Sequence, residues 1–323
     1  MNPSFLITID TEGDNIWGRT TDLSTRNTAY LPRFQRLCEQ FGFKPTWLTN
    51  YEMAMDPVFV AFGRDVIARG CGEIGMHLHA WNSPPLIELT HDDGHYHPYL
   101  IEYSDQVMHD KIAFMTELLE QRFGVKMLSH RAGRWAFDAR YARLLVNRGY
   151  VADCSVTPGV TWRSSLGHPA GAGGTDYRDF PAVPYYLNLD DISRPGNSQL
   201  LEVPMTTRPS RLAAQLPWSY TLPGVRSVAY RMAPDVHWLR PSGRNLRGML
   251  RLVRQAIREN RRHLEFMLHS SELMPGGSPT FRTADDIQKL YDDLAALFPL
   301  IASAFSGETL GGFSQQYRIK VQQ

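Results

Sequence analysis

Short apolar runs alternate along this chain with longer stretches in which apolar residues recur every three or four positions. The short runs cover residues 5–9, 45–49, 73–77, 126–129, 150–152, 200–203 and 264–269. Each is bounded by turn-forming residues, the pattern of strands buried on both faces in a parallel sheet. Between them, Met108, Ile112, Met115 and Leu119 fall on one helical face over residues 106–123, and Gly124 supplies a stop. Residues 245–262 predict a second helix with Leu246, Leu250, Val253 and Ile257 inward. Thr283-x-x-Asp286 reads as a capping box ahead of Ile287, Leu290, Leu294 and Phe298.

Strand–helix alternation of this length predicts an α/β fold with about seven parallel strands, as a barrel or a doubly wound sheet. Two stretches, 155–197 and 211–243, break the alternation and are rich in irregular, turn-forming sequence. They predict loops that cover a site, because the pattern resumes after each. Residues 1–323 are therefore expected to form one domain.

Composition narrows the function classes. With 34 basic and 33 acidic residues, the chain carries a formal charge of +1, without the surplus that drives non-specific nucleic-acid binding. Cys38, Cys71 and Cys154 have no zinc-ribbon or redox spacing and are expected to be free thiols. No basic segment precedes a long apolar run at the start, and no apolar stretch reaches the ~18 residues of a spanning helix. The expectation is a cytoplasmic protein with no membrane span. Seven arginines, Arg244, Arg247, Arg251, Arg254, Arg258, Arg261 and Arg262, lie on or beside the helix at 245–262. Their spacing sets most of them opposite the apolar stripe, which predicts a solvated outer face.

In parallel α/β folds ligands bind beyond the carboxyl ends of the strands. Asp10-Thr-Glu12-Gly-Asp14 follows the first predicted strand and His77-Leu-His79-Ala-Trp81 the third. His130-Arg131-Ala-Gly-Arg134-Trp135 follows the fourth, Asp153 the fifth, and His269 ends the last. Polar groups at five strand ends converge on one rim. Two imidazoles two residues apart beside carboxylates suit a divalent metal. A second cluster, His91, His95 and His97, sits in a polar loop and is read as structural or solvent-exposed.

At these residues the sequence resembles the NodB-homology polysaccharide deacetylases, which are similar to carbohydrate esterase family 4. Within them it looks most like the intracellular branch of O-antigen and capsule biosynthesis. The resemblance spans residues 5–313 and implies a distorted (β/α) barrel, usually of seven strands. It implies that Asp10, closing Ile7-Thr-Ile-Asp10, is the catalytic base. Glu12 then takes the acidic metal-ligand role, with Asp14 as its rival, and His77 is the first histidine ligand. The family's second histidine falls where this chain has Trp81, so His79 substitutes for it. Arg131 would orient the base, Asp153 would buttress Arg131, and His269 would be the general acid. A backbone N–H near Arg134 would complete an oxyanion hole, and Arg134, Trp81 and Trp135 would contact substrate.

The implied reaction is metal-dependent hydrolysis, most consistent with zinc, of the N-acetyl group of an amino sugar. The substrate would be activated or lipid-linked, on a route to surface polysaccharide such as lipopolysaccharide O-antigen. A related hydrolase acting on a small formamide or ureide, and a catalytically impaired sugar-binding member, are the alternatives.

Overall fold

The computed structural model describes residues 3–18, 22–165, 167, 173–209 and 236–321. Seven consecutive strands run parallel, in the order β10-β1-β2-β3-β4-β5-β7. They are β1 (Ser4–Thr11), β2 (Thr46–Thr49), β3 (Glu73–Leu78), β4 (Ser129–Ala132), β5 (Ala152–Asp153), β7 (Leu201–Glu202) and β10 (His263–His269). A short antiparallel strand, β6 (Tyr185–Tyr186), extends the β7 edge, and β11 (Ser306–Glu308) pairs with the start of β1. A separate hairpin joins β8 (Thr207–Pro209) to β9 (Val236–Trp238).

Among the described residues no ladder joins the two ends of the sheet. Instead, Leu239 N–H donates to the Thr206 carbonyl at 3.0 Å, and Met267 N–H donates to the Leu239 carbonyl at 3.4 Å. Glu265 N–H donates to Thr206 Oγ1 at 2.8 Å. The fold is thus a distorted (β/α) barrel in one domain. No helix among the described residues is long and apolar enough to cross a membrane.

β1 is buried at every position, as a strand covered on both faces must be. Phe5 packs on Phe43, Phe266 and Phe298, tying the strand to its neighbour and to the outer helices. Those helices are α1 (Leu31–Gln40), α2 (Tyr51–Met55), α3 (Pro57–Ala68), α4 (Asp93–Tyr96), α5 (Asp105–Phe123), α6 (Ala139–Asn147), α7 (Leu246–Arg258), α8 (Ala284–Ala302) and α9 (Leu310–Val321). The predicted stop at Gly124 is a left-handed C-cap, φ 71°. Thr283 Oγ1 accepts the Asp286 N–H at 3.1 Å, and Asp286 Oδ2 accepts the Thr283 N–H at 3.0 Å, closing the predicted capping box.

Two expectations shift. The strand expected at 126–129 lies three residues later, because Lys126 and Met127 turn back to the Glu120 carboxylate at the end of α5. The helix expected over 245–262 ends at Arg258, with Asn260 in the left-handed region at φ 51°. Its buried residues are Met249, Leu252, Val253 and Ala256, while Leu246, Leu250 and Ile257 are only partly covered. The apolar arc is therefore centred directly opposite the arginines.

Of the irregular loops, 155–197 supplies β6 and a wall of the cavity described below. Most of 211–243, including Trp218 and Pro234, lies outside the described residues. Cys38, Cys71 and Cys154 are free.

Candidate active site

The carboxyl ends of β1, β3, β4 and β10 share one rim. Side chains alternate along an extended chain, so Asp10 and Glu12 face the same way, as do His77 and His79. Each pair thereby points into a cavity of about 420 Å³.

His77 Nδ1 lies 3.0 Å from the Arg131 carbonyl. A carbonyl only accepts, so the proton sits on Nδ1 and the Nε2 lone pair is presented to the cavity. His79 Nε2 is 3.1 Å from His77 Nε2 and 2.9 Å from Glu12 Oε2. One atom from each of Glu12, His77 and His79 falls within a 4.8 Å cluster, and all three side chains are buried. Two facing imidazole nitrogens accommodate at most one proton between them, whereas two nitrogens and one oxygen converging at this distance form a donor set for a divalent cation. Burial lowers the His79 pKa, favouring the neutral ring that ligation requires. Burial also lowers that of His77, but the Asp10 and Glu12 carboxylates outweigh it and the net direction is upward. Glu12 is held well below the usual carboxylate range: burial opposes ionisation, and His269, His77 and His79 overcome it.

Glu12, not Asp14, meets the histidines. Asp14 accepts from Arg26 Nε at 2.9 Å and from Ser24 Oγ at 2.5 Å on the other side of the loop. The Glu12 main chain is fixed by Ser270, whose Oγ accepts its N–H at 3.0 Å, and by Asn27, whose amide donates to its carbonyl at 2.8 Å.

Asp10 sits beside this cluster. Arg131 Nη1 donates to its Oδ1 at 2.6 Å, and Arg131 Nη2 donates to Thr8 Oγ1 at 2.6 Å and to Glu265. Burial works to raise the Asp10 pKa; Arg131, then His77 and His269, more than offset it, so the carboxyl is held low. His269 is the register partner of Asp10 on the next strand. Its Nε2 stands 3.8 Å from Asp10 Oδ2 and 3.6 Å from Glu12 Oε1. Its Nδ1 lies 2.9 Å from Arg240 Nη2 and 3.2 Å from Glu272 Oε2.

One expected contact is corrected. Asp153 does not buttress Arg131: its Oδ2 lies 2.5 Å from His130 Nδ1, and Ser155 donates to both its oxygens. The residues holding Arg131 are Asp10, Glu265, Thr8 and the Cys154 carbonyl, which accepts from Nε at 3.1 Å. The side chains of β4 explain this. His130 points away from the barrel axis with Asp153, and Arg131, its neighbour on the strand, points inward.

Trp81, Arg134 and Trp135, read from the sequence as substrate contacts, all line the cavity. Arg134 and Trp135 are consecutive left-handed residues, φ 53° and 60°. Such strain is tolerated where the surroundings fix it, and here it turns both side chains toward the cavity directly after β4. Trp135 lies under Arg131, with the guanidinium 4.7 Å from the ring centroid. The sequence reading missed Trp17, Tyr99, Trp162 and Arg240, which complete the walls. Trp17 packs edge-on against His269, with 4.8 Å between centroids, and its indole N–H donates to Ser271 Oγ at 3.1 Å. Trp162 lies parallel to Trp135 at 6°. His91, His95 and His97 stand outside the cavity walls, and among the described residues no metal-holding group involves them.

No family model and no curated protein matches the sequence. Solved structures do resemble the fold. A protein from Mycobacterium smegmatis assigned as a polysaccharide deacetylase superimposes with a TM-score of 0.55 at 16% identity, over 99% of this chain and 92% of its own. One from Parabacteroides distasonis, assigned as a glycoside hydrolase/deacetylase, gives 0.59 at 12% identity, over 98% and 71%. TK1436, a GH57 branching enzyme from Thermococcus kodakaraensis, gives 0.55 at 12%, over 98% and 72%. This chain thus has the distorted barrel fold that polysaccharide deacetylases share with other carbohydrate-active enzymes.

Proposed function

We propose that this protein is a metal-dependent deacetylase that hydrolyses the N-acetyl group of an amino sugar. The observation that carries the reading is the convergence of Glu12, His77 and His79 on one point, with Asp10 and His269, 3.8 Å apart, beside it. Glu12, His77 and His79 would hold the cation, and two nitrogens with one oxygen favour zinc. When bound, such an ion acidifies water and polarises a carbonyl within its reach.

This chain's own residues supply the rest. Arg131 occupies Asp10 Oδ1, leaving Oδ2 to take the proton of the attacking water. The water oxygen bonds to the acetyl carbon, the carbon–nitrogen bond breaks, and His269 Nε2 delivers a proton to the departing nitrogen, giving acetate and a free amine. The backbone N–H groups of the strained Arg134–Trp135 turn are the candidates for stabilising the oxyanion, where one such donor is worth about 3 kcal/mol. Trp17, Trp81, Trp135 and Trp162 give the cavity ring-sized apolar walls, which favours a pyranose over a small formamide or ureide. The substrate we favour is an activated or lipid-linked acetamido sugar, met in the cytoplasm before export into surface polysaccharide such as O-antigen or capsule.

The test is acetate release from free, nucleotide-linked and lipid-linked N-acetyl amino sugars by zinc-loaded protein. Release abolished by a chelator and restored by zinc is expected. Zinc-loaded, folded protein that releases no acetate from any of them would overturn the reading.

A further inference from the structure

The outer face of α7 carries an unbalanced charge. Arg247, Arg251, Arg254 and Arg258 follow one another at i, i+4, i+7 and i+11. At 3.6 residues per turn they fall within an arc of about 60° and run for about 16 Å along the helix. All four are exposed, and α7 contains no acidic residue. Arg244 before the helix and Arg262 after it are also exposed. Among the described residues none of these six side chains makes an ion pair. The one carboxylate at the end of the helix, Glu259, is already engaged by Arg208 at 3.0 Å and Arg261 at 3.3 Å.

Several other arginines on the described surface are paired with acids. Arg69 pairs with Glu39, Arg140 with Asp105, and Arg178 with Asp176. The net charge of +1 therefore conceals a cationic strip along α7. The opposite face of α7 is fully committed to the core through Met249, Leu252, Val253 and Ala256, so the strip binds by charge and not by insertion.

We propose that this face of α7 docks the protein on an anionic lipid surface. A straight strip of guanidinium groups matches a plane of phosphate headgroups, which attracts basic residues within a Debye length. The strip has no aromatic residue interleaved for base stacking, the feature of single-stranded nucleic-acid sites. The helix that carries the strip begins at Leu246, six residues after Arg240, which lines the cavity. The proposal does not depend on the deacetylase reading, because binding is measured without turnover.

The experiment is co-sedimentation of the full chain with phosphatidylcholine vesicles and with vesicles of phosphatidylcholine and phosphatidylglycerol in equal parts, at low and high salt. Expected is binding to the anionic vesicles alone, lost at high salt. Each arginine near an anionic surface contributes about five-fold, so the Arg247→Gln, Arg251→Gln, Arg254→Gln, Arg258→Gln variant should bind at least ~10²-fold more weakly. Circular dichroism confirms that the variant is folded. Equal binding to both vesicle types, an unaffected folded variant, or no binding at low salt would overturn the proposal. Salt-sensitive binding to a DNA duplex tighter than to the anionic vesicles would overturn it in favour of nucleic acid.

Discussion

Arg131 and Asp10 meet inside the barrel at 2.6 Å although two strands, β2 and β3, separate them in the sheet. The contact leaves Asp10 with one oxygen bound to the guanidinium and the other facing His269 at 3.8 Å. On the proposed reading this geometry makes Asp10 the base and His269 the acid.

Asp10→Asn tests that division. The amide keeps the shape of the side chain, so the fold and the cation should be retained while turnover falls by roughly 10²–10⁴-fold, the worth of a positioned base. Acetate release beside circular dichroism and metal analysis is the measurement. Unchanged turnover in folded protein would remove Asp10 from the mechanism.

The acidic ligand can be identified by metal content alone. Glu12→Ala should abolish stoichiometric zinc binding, as should the His77→Ala, His79→Ala double variant. Asp14→Ala should keep it, because Asp14 is turned toward Arg26 and Ser24. Zinc lost on changing Asp14 but kept on changing Glu12 would reverse the assignment.

Asp153 should matter for stability and not for chemistry. It is fully buried against His130, and removing one member of a buried pair costs about 3–5 kcal/mol. Urea unfolding of Asp153→Ala should show a loss of that order, with zinc content per folded molecule preserved. A variant as stable as the wild type but inactive would restore the catalytic role implied by resemblance.

Lys111 gives a pH signature. Its ammonium is buried and donates to the Ser83 and Pro85 carbonyls at 2.7 and 2.8 Å, anchoring the loop that follows Trp81. Burial pulls its pKa down to about 8, against a smaller upward pull from Asp93. Between that value and the ordinary value of ~10.4, the unfolded chain holds the proton more tightly, so stability should rise with pH across this window. The rise attributable to Lys111 is about 3 kcal/mol at most. Urea midpoints of wild type and Lys111→Met, compared from pH 7 to 11, should diverge in slope within that window. Parallel curves would show that Lys111 titrates normally.

Sequence periodicity brought a predicted run to within about three residues of each of the seven parallel strands, because burial on both faces leaves continuous apolar runs such as residues 5–9. Glu12, His77, His79, Asp10 and His269 were legible because they follow strands directly, where the fold dictates direction. Trp17 and Trp162 come from irregular loops, in which no period tells where a side chain points. Glu265 carried a signal that could have been used: an acid in the middle of the apolar run His263–His269 must find a cation, and Arg131 is that cation. Its role instead went to Asp153, because the resemblance specifies an order of motifs and not which face of a strand each side chain takes.

Arg131 also bears on how the chain assembles. Its guanidinium on β4 bridges to Asp10 on β1 and to Glu265 on β10, and β10 comes last in the sequence of the seven parallel strands. Before β10 docks, Arg131 has Asp10 and Thr8 of β1 as side-chain partners and lacks Glu265. The rim that carries Asp10 thus acquires its full set of polar partners from the same strand that delivers His269 beside it.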